Sequence, residues 1–314
     1  MRDAIESMRV AFAELSAGRV DLPQRVSISS SDGAVTLVMP GRLDVPFALG
    51  AKIVSVFPGN EAKGLPLIHA AVVLLDGETG EIAGLLDGQS LTAIRTGAAS
   101  GLATDLLARP DASRVAIIGA GVQARTQLEA VCCVREVEDI WVYSRTRENA
   151  ERFAREAEET GQASVAARIR VVESAREAVR DADIICTATS SPTPVLGLDD
   201  VTSGMHINAV GSFTAEMREL DPVLVGKCRV VVDHRPAAME EAGEVIAAVR
   251  EGLISEGDMV EIGEIVNCSC EGRTSDDQIT LFKSVGVAVQ DLAAGARVVE
   301  RERKASAAGS ELHM

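Results

Sequence analysis

The run Gly119-Ala120-Gly121-Val122-Gln123-Ala124 constrains the fold more than any other stretch, because of what flanks it. Before it stands Val115-Ala116-Ile117-Ile118, a short apolar segment of strand character; from Gln123 to Arg135 the apolar spacing is helical. A glycine pattern alone is weak, but between a strand and a helix it predicts the tight turn of a doubly wound α/β unit. In such a turn Gly119 makes the sharp bend, Gly121 leaves the backbone open to close approach, and Ala124 lets helix and strand pack tightly. Val122 and Gln123 open the helix, whose unpaired N–H groups and dipole suit a pyrophosphate. Gly119, Gly121, Val122, Gln123 and Ala124 are therefore candidate dinucleotide ligands, the alternative being a strand–helix turn that binds nothing.

The texture around this turn supports the reading. Strands are predicted at Ile140–Tyr143, Ile169–Val172, Ile184–Ala188, His206–Val210 and Val230–Asp233, and helices at Arg147–Glu159 and Ala175–Val179. That alternation argues a parallel, doubly wound sheet. The first third differs. After a helix over residues 4–17, with Ile5, Met8, Phe12 and Leu15 on one face, strands are predicted at Ala34–Met39, Phe47–Phe57, Leu67–Leu75 and Ile82–Leu86. An Ala-rich helix from Leu91 to Ala108 ends before Pro110, and a last helix is expected from about Leu281 to Arg301. The fold class is α/β: a Rossmann-type doubly wound sheet, residues 96–282, inserted into a split α+β domain built from residues 1–95 and 283–314.

The end of the second strand of a Rossmann unit sets cofactor preference. NAD binders place Asp or Glu there, on the ribose hydroxyls. Here the strand runs into Ser144-Arg145-Thr146, without an acid. Those three residues suit a 2′-phosphate, so NADP(H) is favoured and NAD(H) stays possible; a solvated Arg145 would leave the preference mixed. Ala188-Thr189 and Val210-Gly211-Ser212 belong to small, hydroxyl-bearing loops after later strands, where a nicotinamide would lie, and Asn208 and Ser284 are expected near it as well.

Charge and composition narrow the partners. Lys and Arg number 31 against 47 Asp and Glu, a net charge of −16, so nucleic acid and anionic membrane surfaces are repelled. Aromatic residues make up 3%, too few for base-stacking platforms. The six cysteines show no Cys-x-x-Cys spacing and read as reduced thiols of a cytoplasmic protein; no metal site is expected, and Cys268-Ser269-Cys270 is the one pair worth noting. Neither a signal peptide nor a transmembrane-length apolar run is visible.

Four polar residues of the first domain are set apart. Lys52 interrupts an apolar strand; strand alternation allows it either face, and only the inward one makes it a functional candidate. Arg95 is expected in the first turn of its helix, where a cation opposes the dipole; a ligand anion or a surface ion pair would explain it. Arg25 follows Leu22-Pro23-Gln24, and His69 opens a strand, a position where histidine is more often structural.

Together these segments resemble the ornithine cyclodeaminase/mu-crystallin family, over nearly the whole chain. The resemblance is carried by Leu22-Pro23-Gln24-Arg25, Gly50-Ala51-Lys52-Ile53-Val54, Phe57-Pro58-Gly59-Asn60 and Asp87-Gly88, then Thr92-Ala93-Ile94-Arg95-Thr96-Gly97-Ala98. It continues in the Gly119 turn, His206-Ile207-Asn208-Ala209-Val210-Gly211 and Asp277-Gln278-Ile279-Thr280-Leu281-Phe282-Lys283-Ser284-Val285-Gly286. The resemblance implies a homodimer, with Arg25 and Arg95 on a substrate carboxylate, Lys52 at the reacting carbon or imine nitrogen, and Thr96 with the Gly119 turn on phosphate.

The family holds a deaminating cyclase, alanine dehydrogenases and imino acid reductases. The cyclases place a catalytic Asp near the position of Phe213 and tend to have Asp where Lys283 stands, so these two residues point to the reductase branch. The expected activity is NAD(P)H-dependent reduction of an α-imino acid, a cyclic ketimine or the open imine of a 2-oxo acid and ammonia, to an L-amino acid. Two alternatives remain: an ornithine cyclodeaminase (ammonia-lyase), and a non-catalytic NADPH-dependent binder of a small carboxylate.

Overall fold

Alternating apolar residues in the first third make strands with one face to bury, and unbroken apolar runs in the middle make strands buried on both. The computed structural model describes residues 1–30, 33–161 and 167–311, the side chains of Glu61 and of residues 306–311 aside. The chain forms two compact units: Met1–Ile5 with Thr96–Gly286, and Glu6–Arg95 with the chain from Val287 on.

The second of these units opens with most of α1 (Arg2–Ser16), which buries Met8, Phe12 and Leu15. An antiparallel sheet follows: β1 (Val20–Asp21), β2 (Val26–Ser29), β3 (Val35–Leu43), β4 (Ala48–Val56), β5 (Ile68–Leu75) and β6 (Ile82–Asp87). Its order is β1-β3-β4-β5-β6, with β2 also on β3. Register fixes which side chains share a face, since directly paired residues point the same way. Met39, Lys52 and Val72 form one such row, all buried. On the opposite face run Val26–Val38–Ile53–Ala71 and Ile28–Thr36–Ser55–His69, with Leu85 on that face beside Val73. Val26, Ile28, Ile53 and Leu85 are exposed there, as is His69.

The chain passes into the other unit within α2 (Gly88–Leu107), whose C-terminal carbonyls at Thr104 and Ala108 accept from the Arg135 guanidinium. There β7 (Arg114–Ile118), α3 (Val122–Val134), β8 (Asp139–Tyr143), α4 (Arg147–Glu159), β9 (Arg168–Val171), α5 (Ala175–Val179), β10 (Ile184–Thr187) and β11 (His206–Ala209) alternate. Then come α6 (Pro222–Val225), β12 (Arg229–Val232), α7 (Arg235–Glu241), α8 (Gly243–Arg250), β13 (Val260–Glu261), α9 (Ile262–Val266) and β14 (Thr280–Lys283). The sheet order is β13-β12-β14-β11-β10-β7-β8-β9, every pairing parallel. Val115, Ile117, Ile140, Val142 and Ile184 face one apolar cluster, and Ala116, Ile118, Ile185, Ile207 and Leu281 the other. After Gly286 the chain returns to the unit of the antiparallel sheet as α10 (Ala288–Glu311), which lies on β3, β4, β5 and β6.

Two expected elements shift. Leu281 belongs to β14, in the parallel sheet, and the last helix starts only at Ala288 and runs on to Glu311. Helix α2 begins at Gly88, three residues before Leu91, so Arg95 sits well past its first turn and the dipole argument for Arg95 does not apply. All six cysteines are free, Cys268 exposed and Cys186 buried, and no group of three or more potential metal ligands occurs among the described residues.

Candidate active site

The parallel sheet gathers the expected cofactor residues along one edge. At the carboxyl ends of the strands, Ile118 pairs with Tyr143 on one side and Thr187 on the other, and Thr187–Ala209–Lys283 continues the row. The residues that follow each strand, Gly119, Ser144–Thr146, Ala188–Thr189, Val210–Ser212 and Ser284, therefore leave the sheet together. Neighbours β7 and β10 also mark the switch point: the chain goes outward from β7 to β8 and β9, then starts again at β10. In open α/β sheets that crevice is where nucleotides bind.

The Gly119 turn fits a pyrophosphate. Gly119 has φ +108°, and a Cβ there would lie 2.4 Å from the Ala188 carbonyl oxygen, so only glycine is accommodated. A Cβ on Gly121 would meet nothing within 4 Å, which is the open approach a phosphate needs. Gly121 caps α3 without a side-chain hydrogen bond, leaving the first N–H groups of the helix for a ligand. Val122 is exposed beside them, Gln123 half-buried, and Ala124 buried against the sheet. Thr96 is buried one helix away; its carbonyl accepts from Gln127 Nε2 at 3.4 Å, and neighbouring Gly97 packs on Thr126 of α3. At the end of β8, Arg145 is exposed, and Thr146 caps α4 without committing its hydroxyl.

The later loops are held by acids that sequence reasoning missed. Glu219, fully buried, accepts from Thr189 N (2.6 Å), Gly211 N (2.7 Å) and Thr187 Oγ1 (2.9 Å), tying the β10 and β11 ends together. Burial pushes its carboxyl up, against Lys283 and the backbone N–H groups, which pull it down. Ser212 Oγ donates to Glu244 Oε2 at 2.6 Å and accepts from Lys283 Nζ at 2.6 Å; Lys283 and Glu244 pair at 3.1 Å. Ser284 Oγ donates to Asp233 Oδ2 at 2.9 Å, which also accepts from Val285 N and Gly286 N. The hydroxyls of Ser212 and Ser284 thus brace the edge. Asn208 is drawn into the core instead: its amide donates to Thr104 Oγ1 at 2.9 Å and its oxygen meets His206 Nε2 at 3.2 Å. No spacing in the sequence links Glu219, Glu244 or Asp233 to these partners, since every pairing but that of Gly211 with Glu219 bridges 30 residues or more.

The antiparallel unit holds the chemistry-bearing cations. Lys52 faces inward, only 3% exposed. Its Nζ donates to Asp291 Oδ2 at 3.1 Å and Oδ1 at 3.3 Å. Arg95, also buried, donates from Nε to Asp291 Oδ1 at 3.2 Å and from Nη1 to Gln290 Oε1 at 2.8 Å. Strand β4 supplies Lys52, α2 supplies Arg95, and the first turn of α10 supplies Gln290 and Asp291. Two cations share one carboxylate, so the trio carries a net charge of +1 when all are ionised (2 − 1). Burial lowers the Lys52 ammonium to about 8, with the Arg95 and Arg25 guanidiniums acting in the same direction and Asp291 opposing. Burial alone would raise Asp291, but Arg95 and Lys52 together hold it below the ordinary carboxylate range. Arg25 is half-buried just before β2, within electrostatic reach of Lys52. His69 is not brought to this cluster: it stands three residues beyond Val72, the partner of Lys52, and therefore on the opposite face.

A buried cluster of net positive charge suits a small carboxylate, and a lysine near 8 can give or take a proton at neutral pH. The model of the ornithine cyclodeaminase/mu-crystallin family matches residues 1–306. A Delta(1)-pyrroline-2-carboxylate reductase of Bacillus cereus is 42% identical over 296 residues, covering 93% of this chain and 89% of its own. The structure of the Thermococcus litoralis Delta(1)-pyrroline-2-carboxylate reductase, in complex with NADH and L-proline, superposes with a TM-score of 0.92 at 42% identity, covering 98% of this chain and 94% of that one. An archaeal alanine dehydrogenase dimer with bound NAD gives 0.90 at 34% identity, covering 98% and 92%. Matched by the family model over almost all of its length, the chain belongs to the ornithine cyclodeaminase/mu-crystallin family.

Proposed function

We propose that the protein is a nicotinamide-dependent reductase of α-imino acids, forming L-amino acids from a cyclic ketimine such as pyrroline-2-carboxylate or from the open imine of a 2-oxo acid and ammonia. The observation that carries this is Lys52, buried and lowered to about 8 beside Asp291 and Arg95. When bound, the nicotinamide supplies a hydride to the imine carbon. Arg95 commits Nε to Asp291 and one Nη1 N–H to Gln290, which leaves Nη2 for a substrate carboxylate. Arg25 adds a second guanidinium, and two fixed points orient the imine, where much of the rate gain arises. Lys52 in its ammonium form donates a proton to the imine nitrogen, and Asp291 holds the ammonium in place. Phe213, in the loop after Ser212, has no proton to move, which disfavours the cyclodeaminase alternative.

Gly119 to Ala124 would hold the pyrophosphate. Absence of an acid after β8, exposed Arg145 and the uncommitted Thr146 hydroxyl favour a 2′-phosphate, hence NADP(H), with NAD(H) also accepted. We assign the exposed sheet face of Val26, Ile28, Ile53 and Leu85 to a homodimer contact. Six free cysteines suit a reducing, cytoplasmic setting, and no helix among the described residues is long and apolar enough to cross a membrane.

The test is oxidation of NADPH and NADH by purified protein, offered pyrroline-2-carboxylate, piperideine-2-carboxylate, or pyruvate or oxaloacetate with ammonium. Turnover that is lost in Lys52→Ala and Arg95→Ala is expected, faster with NADPH. No oxidation of either cofactor on any substrate would remove the reductase reading.

A further inference from the structure

Gln290 is a buried amide with half of its bonding capacity unmet. Its side chain is fully buried. The oxygen Oε1 accepts from Arg95 Nη1 at 2.8 Å and from Val287 N at 2.9 Å. Both partners are donors, so the amide cannot be turned over: a flipped Nε2 would face two N–H groups. The same two bonds therefore fix where Nε2 stands, and Nε2 has no hydrogen-bond partner. Leaving a buried amide donor unsatisfied costs roughly 1–3 kcal/mol, and native proteins seldom leave one so without an acceptor that arrives later. The acceptor must fit beside a guanidinium and a lysine ammonium that already share one carboxylate, in a cluster of net positive charge. That environment selects an anion with lone pairs spread over two oxygens, which is a carboxylate.

We infer that Gln290 Nε2 is a substrate-binding donor, contributing a hydrogen bond to the α-carboxylate beside Arg95. The inference rests on the proposed imino acid reductase reading and extends its carboxylate site to the first turn of α10. Gln290 thereby has two tasks: its oxygen holds the Arg95 fork in plane, and its nitrogen meets the ligand that the fork receives. A ligand in which the carboxylate is replaced by a carboxamide loses the charge that makes this bond strong.

Gln290→Glu separates the two tasks. A carboxylate oxygen keeps the acceptor for Arg95 and Val287, while the donor is replaced by a second oxygen that repels the substrate. Gln290→Met removes donor and acceptor without adding charge. Binding of L-proline to the NAD-loaded protein is measured by calorimetry, alongside NADH affinity and the KM for pyrroline-2-carboxylate. Wild type is expected to bind L-proline and to bind prolinamide much more weakly. In Gln290→Glu, L-proline affinity falls about 10- to 100-fold, the range expected for a hydrogen bond to a charged group. KM rises in parallel, and NADH affinity is unchanged. Gln290→Met is expected to lose about 10-fold by the same argument. Unchanged L-proline affinity and KM in Gln290→Glu, with NADH still bound, would overturn the inference. So would loss of NADH binding in both variants, which would make the amide structural. A wild type that binds no ligand of the imino, amino or 2-oxo acid panel would remove the reductase reading itself, and this inference with it.

Discussion

Lys52 is a cation held where cations are costly, and its counter-ion decides what it can do. Desolvation and two guanidiniums pull its titration down to about 8 from 10.5; Asp291 is the group that opposes them. The ammonium, which gives the proton and attracts the carboxylate, is therefore the main form below about 8 and is lost above it. For imine reduction, kcat/KM should be level at neutral pH and fall as pH rises through about 8. Taking Asp291 away leaves only the lowering influences, so in Asp291→Asn the falling limb should move to lower pH. A pH profile of kcat/KM for both proteins checks this; a limb that stays in place would remove Asp291 from the proton-holding unit. Stability follows with its own sign. A lysine lowered by the fold binds fewer protons folded than unfolded between about 8 and 10.5, so its burial weighs against the fold below that window and is relieved across it. Asp291 has the opposite effect, stabilising above its unfolded range and losing that contribution in acid. Asp291→Asn strands Lys52 and Arg95 without their carboxylate, and should cost about 3 kcal/mol or more at pH 7, read by denaturant unfolding.

At the scale of elements, the strand–turn–helix from β7 to α3 is the part whose geometry leaves least freedom. Gly119 combines positive φ with a carbonyl 2.4 Å from where a Cβ would be, so Gly119→Ala must move the Ala188 loop or the turn. Binding of NADH and NADPH, followed by quenching of protein fluorescence, should fall at least about 10-fold, on the scale of 1–3 kcal/mol for a residue forced into such backbone. Full affinity in this variant would mean the turn does not carry the phosphates. The same element was plain in the sequence because everything that defines it is local: the apolar run, the glycines and the helix follow one another within some 20 residues. β14 was not plain. Thr280–Lys283 is a four-residue run buried on both faces, and a short apolar run beside a helix carries no period of its own. The acids behind the site were hidden for a related reason. Lys52 could be singled out as an ion among apolar neighbours, but whether it faced inward depended on β3, β5 and α10. Its partner Asp291 lies 239 residues away in sequence, in a helix turn that reads as ordinary amphipathic surface. Arg95 was singled out for a helix-dipole reason that the true start of α2 removes; Asp291 and Gln290 are the partners that explain its burial.

For the whole molecule, the asymmetry of the antiparallel sheet is what remains to be explained by an isolated chain. One face is covered by α10; on the other, Leu85 is 69% exposed, Val26 and Ile28 54% and Ile53 42%. Val26, Val38 and Ile53 stand in one row across three strands, with Ile28 and Leu85 on the same face, and a monomer rarely leaves so many large apolar side chains to water on one face. A second copy is the occupant we propose, and a two-fold contact presents the same patch on both sides, so one substitution acts twice. Ile53 lies in the middle row, between Val38 and Ala71. Ile53→Asp places a carboxylate there, pointing away from Lys52 because adjacent residues on a strand face opposite ways. In the free chain the new carboxylate stays hydrated and should change stability by less than about 1 kcal/mol; buried against its own copy it is desolvated without a partner, at several kcal/mol. Light scattering after size exclusion should therefore read two chains per particle for wild type and one for Ile53→Asp, with NADH affinity retained, because the Gly119 turn belongs to the other unit. A wild type that reads one chain at micromolar concentration would leave the patch to a different partner; a variant that still reads two would place the contact elsewhere.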